Sequence, residues 1–385
     1  MTRAHLLVAR RRLEANVLTR AHLLVARRRR EANVLTRALA PLSLALLLGA
    51  CRPDFDRGPS LVEGPRVLAL SSTPAEARPG EPVTYAALLV DQSGTRDDVR
   101  SEWAFCNERK PLTELGPVAP ACLVPSGPSL TLLGAGPSAA GALPPEGCRV
   151  FGPDPPQAKP GETAGRPVDP DPSGGYYQPL RLLYGINGGS ERYALGGTRL
   201  LCGLAGANQA TAAEFGRRYR RNANPALTSL RALAPDGSAV AISPPSEPIS
   251  WRVAPGTSVR LVAAWPTCPA TDACGDGTCG LDETAADCPA DCTTPTGCQG
   301  AERYLYLDPE TRSLAERRET LRVAWFSPAG RFDDDATGAS AEGESANGWV
   351  APEAPGTVPL WVVIRDDRGG VGFASYRVEV GETPP

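Results

Sequence analysis

Beyond residue 65 the apolar positions fall in short alternating runs parted by Gly and Pro, a strand pattern. The runs RVLALSS from Arg66 and VTYAALLV from Val83 flank a turn at Pro79-Gly80 and predict the first two strands of a sandwich. SEWAFC, Ser101 to Cys106, follows as a third, with Trp103 and Phe105 on one face by the two-residue period. From Pro125 to Gly174 the chain is dominated by Pro, Gly, Ala and Ser, a long excursion in which SLTLL and CRVFG are expected as edge strands. YYQPLRLLYGI and RYALGGTRLLCGL, parted by an Asn-Gly-Gly signal, predict a closing hairpin with Leu180, Leu182 and Tyr184 alternating. Ala210 to Asn222, ATAAEFGRRYRRN, is the convincing helical composition, and its Arg217, Arg218, Arg220 and Arg221 are expected as a solvated helix end rather than a site for an acidic partner.

A second module begins at Leu227 and repeats the first. VAPGTSVRLVA, Val253 to Ala263, matches ARPGEPVTYAA, Ala77 to Ala87, in a PGxxVx-apolar core, and LRVAWF, Leu321 to Phe326, answers SEWAFC. The chain closes with PLWVVIRDDRGGVGFASYRVEV, two alternating strands about an Asp-Arg-Gly-Gly turn. A tryptophan on the third strand near a cysteine is typical of immunoglobulin-like cores. Both modules resemble the immunoglobulin-like domains of bacterial surface lipoproteins, a resemblance of strand patterns that carries no catalytic residue. The expected fold is all-β: two immunoglobulin-like β-sandwich modules with a disulfide-rich insertion in the second.

Ahead of the modules, Ala38 to Cys51, ALAPLSLALLLGAC, places a Leu/Ala run between a basic lead-in and small residues before a cysteine. The run is too short for a permanent membrane span. Leu48-Gly49-Ala50-Cys51 resembles the lipobox of bacterial lipoproteins, which implies cleavage before Cys51 and a diacylglycerol on its thiol. Arg52, where an Asp would resemble a retention signal, points to an outer-membrane lipoprotein, periplasmic or surface-exposed. Upstream, a 17-residue unit, TRAHLLVARRRLEANVL, is repeated almost unchanged, which reads as a recent duplication; a start at Val34 would leave a compact signal. The expected organisation is a signal region at 1–50, a lipid-anchored tether at 51–65, module 1 at 66–209, an interdomain helix and linker at 210–225, and module 2 at 226–381.

Removing residues 1–50 changes the composition. They hold ten Arg and two Glu, so the remaining 335 residues carry 30 basic and 41 acidic side chains, a formal charge of −11. That disfavours nucleic acid as a partner. His5 and His22, the only histidines, also go, which excludes His-dependent triads and His-ligated metal sites from the exported chain.

With Cys51 given to lipid, ten cysteines remain, an even number for an oxidising compartment. Proximity favours Cys106 with Cys122 and Cys148 with Cys202, leaving Cys268, Cys274, Cys279, Cys288, Cys292 and Cys298 to close among themselves. The stretch 268–298 resembles the CGDGxC...CPxDC cassette of secreted bacterial proteins and falls between two strands of module 2. Too short to enclose a core, it must rely on crosslinks. Its acids, Asp272, Asp276, Asp282, Glu283, Asp287 and Asp291, leave two readings open: a solvated acidic knob or a Ca²⁺ site, although the calcium-loop spacing is not met. Zinc on cysteines alone would need reduced thiols. The GxGxxG at Gly275 opens no helix, and Asp333 to Asp335 read as a solvent-facing loop. The sequence thus predicts a non-enzymatic, lipid-anchored envelope protein for binding, adhesion or envelope structure, with a protein or glycan partner. The rival is a carboxylate-dependent extracellular hydrolase acting on cell-surface or environmental polymers, which needs no histidine.

Overall fold

A computed structural model describes residues 58–153, 170–185, 191–204, 206–244, 250–293, 297–338 and 343–381. The signal region, Cys51 and the start of the expected tether lie outside them. In module 1, strands β1 (Arg66–Thr73), β2 (Glu76–Ala77), β3 (Pro82–Asp91), β4 (Gly94–Thr95), β5 (Ser101–Cys106), β6 (Leu130–Ala135), β7 (Ser138–Ala142), β8 (Tyr176–Tyr184) and β9 (Arg192–Leu200) form two sheets. One joins β1, β7 and the short β4 to β3; the other runs β2-β9-β8-β5-β6. Module 2 begins with β10 (Ser229–Leu233), β11 (Ala239–Ser243), β12 (Ser250–Val253) and β13 (Ser258–Ala264). After an inserted hairpin, β14 (Arg303–Leu307) and β15 (Leu314–Arg318), it continues with β16 (Arg322–Phe326), β17 (Arg331–Phe332), β18 (Ala336–Thr337), β19 (Glu344–Val350), β20 (Gly356–Arg365) and β21 (Val371–Val380). Its sheets run β11-β10-β13-β19-β17 and β12-β21-β20-β16-β18.

The internal repeat corresponds to one shared device. β2 lies parallel to β9 and β12 parallel to β21, so in each module a short strand seals the last strand's edge before the chain turns into the other sheet. Both turns are Pro-Gly: the Glu81 amide donates to Arg78 and the Thr257 amide to Ala254. Gly80 and Gly256 take φ of +83° and +66°, the left-handed setting a Pro-Gly turn requires at its second central residue. With β5 and β16 each opposite the strand that follows this turn, both modules are immunoglobulin-like sandwiches, and the chain is all-β with short helices. Trp103 and Phe105 meet Tyr85 in the first core, and Trp325, Trp349 and Trp251 lie in the second.

Three sequence expectations change. CRVFG is not an edge strand but most of a helix, α1 (Gly147–Phe151), pinned by the Cys148–Cys202 disulfide. SLTLL does form an edge strand, β6 at the end of its sheet beside β5, and the same excursion adds β7, paired with β3 alone. Residues 58–65 are no free tether: the Val62 amide donates to the Ser327 carbonyl at 2.9 Å, Ser327 donates back to Ser60, and the Ser60 hydroxyl donates to Asp335 at 2.7 Å. Asp335 accepts from this strap while remaining exposed, like Asp333 and Asp334, as expected of a solvent-facing loop. Finally, β20 does not alternate: Val358 to Ile364 are all buried. Val358, Leu360, Val362 and Ile364 fill the module 2 core, while Trp361 and Val363 pack against Val62 of the strap and Leu68, Leu88 and Val90 of the neighbouring module. A strand covered on both faces reads as a continuous apolar run, and PLWVVI is one.

Candidate functional site

The two modules meet at a cluster of charged side chains withdrawn from water. The short β2 carries Glu76 and β9 carries Arg199; the turn joining β20 and β21 supplies Asp366 and Arg368; the residues flanking the inserted β14–β15 hairpin supply Glu302 and Glu319. All six are buried, Arg368 with no exposed surface. Its guanidinium donates to Glu319 at 2.6 Å, to Glu302, and to the Arg220 carbonyl at 3.2 Å, with its carbon 4.9 Å from the Tyr304 ring centroid. Asp366 accepts the amides of Arg368 and Gly370 and the Asn222 side chain, which draws the linker onto the turn. Glu76 accepts Tyr219 at 2.7 Å and the Asn222 amide at 2.9 Å, and pairs with Arg199 at 3.6 Å.

Arg368 thus faces three carboxyls. Burial opposes its charge, but Glu319 and Glu302 hold its pKa well above the ordinary value. Desolvation pushes the acids the other way: Glu302 is raised to about 7, and Glu319 and Asp366 are raised as well. No sequence signal marked Arg368, because Asp-Arg-Gly-Gly is solvent-facing turn chemistry wherever no second domain covers it.

Beside this cluster lies a cleft of about 220 Å³. The end of β9, helix α2 (Gln209–Arg218) and strand β14 wall it with Leu200, Leu201, Phe215, Leu305, Tyr306 and Leu307. Phe215 stacks on Tyr219 with centroids 4.3 Å apart, and Tyr306 is held by Arg317 at 4.5 Å. Glu76 and Arg199 reach its floor already paired with each other. Arg312 stands at its rim on a backbone φ of +57°, and among the described residues its guanidinium has no ion-pair partner. An apolar cavity with one unmatched cation is suited to an apolar body carrying an anionic group. The lining comes from elements distant in sequence and spaced without pattern, so sequence reading did not find it.

The ten cysteines form five disulfides: Cys106–Cys122, Cys148–Cys202, Cys268–Cys298, Cys274–Cys288 and Cys279–Cys292. The cassette, with a single-turn helix α3 (Pro289–Cys292), sits between β13 and β16, and its acids organise the loop itself. Asp291 accepts the Gly275 and Gly277 amides, Glu283 accepts Gly280, Asp276 accepts Thr278, and Asp287 accepts the Thr284 hydroxyl. Asp282 instead pairs with Arg218 at 2.9 Å, and Asp272 with Arg303 at 3.2 Å. Asp276, Asp282, Glu283, Asp287 and Asp291, the ligands of the calcium reading, do not converge: among the described residues, the one group of three ligand-type side chains within 4.8 Å is Cys274, Cys288 and Asp291, whose sulfurs are bonded to each other.

Of the linker arginines, Arg217 is exposed as expected, but Arg218, Arg220 and Arg221 are not a solvated helix end. Arg218 pairs with Glu214, Asp282 and Glu316, and Arg221 with Glu81 at 2.6 Å; Arg220 donates to the carbonyls of Cys279 and Glu283. They clasp the cassette and module 1 to the linker because the acids they meet are supplied by this same chain.

No protein-family model matches the sequence, and a search of curated proteins finds no match. Among solved structures, the D0-D1 domain of intimin aligns over 82% of this chain and 99% of its own length at 9% identity and a TM-score of 0.19. The Yersinia pseudotuberculosis adhesin InvE aligns over 81% of this chain and 58% of its own at 11% identity and 0.19. Dimeric latent PorU from Porphyromonas gingivalis aligns over 84% of this chain and 25% of its own at 10% identity and 0.18. The chain therefore spans only part of the last two. At such scores these matches carry no conclusion, and the fold rests on this chain's own strand order. Among the described residues no helix is long and apolar enough to cross a membrane.

Proposed function

We propose that the chain is a non-enzymatic, lipid-anchored protein of the bacterial cell envelope that binds a ligand at the junction of two fused sandwiches. The observation that carries the binding reading is the cleft: apolar and aromatic walls, a floor whose charges are already matched, and Arg312 unmatched at the rim. A small amphiphile with an aromatic body and one negative charge fits it. The probe 8-anilinonaphthalene-1-sulfonate has that chemistry and is expected to bind the native chain saturably with a rise in fluorescence. Leu307→Glu and Arg312→Glu should each weaken it several-fold. Emission that rises without saturating, or is the same in both variants, would sink the reading.

The anchor rests on Leu48 to Cys51, and its test is independent of the cleft. Cys51→Ala is expected to move the protein from the membrane fraction to the soluble envelope fraction. Unchanged partitioning would remove the lipid from the account. One observation favours the rival hydrolase reading: Glu302, with its pKa raised to about 7, borders a second cavity, and a protonated buried carboxyl is a general acid's starting state. Its tie to Arg368, shared with Glu319, instead favours a structural role.

A further inference from the structure

Of the four linker arginines, two are matched and two are not. Arg218 and Arg221 have carboxylate partners. Arg220 is half-buried, yet every acceptor it meets is a carbonyl: Cys279 at 3.3 Å, Arg217 at 3.0 Å, Tyr219 at 3.2 Å and Glu283. Among the described residues no carboxylate stands at ion-pair distance from it; burial lowers its pKa, and Asp272, Glu283 and Asp282 favour its charge from further off. Arg217 is exposed, and among the described residues its guanidinium has no partner. Both arginines line one cavity of about 300 Å³, closed by Arg221, Thr284, Ala285 and Glu302. The far wall is held by the Cys279–Cys292 disulfide, and the charges at the sides are spoken for, Arg221 by Glu81 and Glu302 by Arg368. Arg220 already donates to four carbonyls, so of its five N–H groups one is left for a ligand, beside the exposed and unpaired fork of Arg217; guanidinium N–H groups of two arginines on one cavity suit the oxygens of an oxyanion.

We propose that the cavity between the linker and the cysteine-rich cassette binds an oxyanion, a carboxylate or phosphate group presented by a larger molecule, between Arg217 and Arg220. The cassette then serves as one jaw of a binding site, and its disulfides hold that jaw at fixed distance from the linker. This site goes beyond the cleft: it uses other residues and holds whether or not the cleft is occupied.

The test is calorimetric titration of the full, oxidised chain at low ionic strength with sodium phosphate and, separately, with sodium galacturonate. At least one is expected to bind with one-to-one stoichiometry; phosphate alone assigns a phosphoryl group, galacturonate alone a carboxylate. Arg217→Gln, at an exposed side chain with no partner to lose, should weaken binding by roughly tenfold or more while leaving the melting curve of the free protein unchanged. Arg220→Gln should abolish binding, and Arg221→Gln should change it less than either. No heat from either anion at millimolar concentration, or native affinity in Arg217→Gln, overturns the proposal.

Discussion

Replacing Arg368 with alanine is expected to cost about 3–5 kcal/mol of unfolding free energy, the usual range when one partner of a buried ion pair is removed. The reason is specific to this site. Glu302, Glu319 and Asp366 lie around a guanidinium with no exposed surface, and its loss leaves three carboxyls in a space that water does not reach. The turn would also lose its contact with the Arg220 carbonyl, loosening the linker on which the cassette is clasped. Denaturant unfolding followed by tryptophan emission reads the loss. The triple variant Arg368→Met, Glu302→Gln, Glu319→Gln should recover much of it, since apolar and neutral replacements of a buried ionic group are often close to neutral. If Arg368→Ala unfolds at the native midpoint, the cluster contributes nothing to holding the modules together.

Stability is expected to fall as pH rises from about 4.5 to 7. Glu302 has a folded pKa near 7 against an ordinary 4.5, so between those values the folded chain retains a proton that the unfolded chain releases. A carboxyl raised on folding stabilises below its unfolded pKa and loses that contribution as pH climbs through the folded one. The slope is at most about 1.4 kcal/mol per pH unit for one group, on the order of 3 kcal/mol across the window. Glu319 and Asp366, also raised by burial, act in the same direction, while Arg368 stays charged throughout. Acids held low, Glu81 and Glu316 by arginine partners and Asp91 by Ser93 and Arg96, work oppositely but below pH 4.5. Denaturation midpoints at half-unit steps test this: a flat or rising curve between pH 5 and 7, or an unchanged slope in Glu302→Gln, contradicts it.

What the sequence made legible was local. Period-two patterning put Trp103 and Phe105 on one face, and the Pro-Gly motif at residues 79–80 and 255–256 disclosed the repeat because a left-handed glycine after proline is a short-range requirement. The insertion point of the cassette was readable for the same reason, lying between two recognisable strand signals. What was not readable depends on partners far along the chain. β20 was expected to alternate because its second cover, Leu68, Leu88 and Val90, lies more than 260 residues away. Arg218 at the end of α2 and Arg221 after it looked solvated because Glu81, Asp282 and Glu316 are unremarkable surface acids until the fold delivers them. The cleft combines both failures, for its walls come from β9, α2 and β14, none of which signals binding alone.

The strap from Gly58 to Val62 alters how tension would travel through the molecule. Its hydrogen bonds run to Ser327 and Asp335 of the second sandwich, although the chain next enters β1 of the first. If the protein hangs from a membrane by Cys51, a pull at that end meets the second sandwich before any strand of the first is stretched. Drag on a captured ligand would be opposed by both sandwiches at once, with the strap as the first element to peel. The attachment end would then yield while the cleft keeps its shape, and a tethered receptor could ride out shear without releasing what it holds.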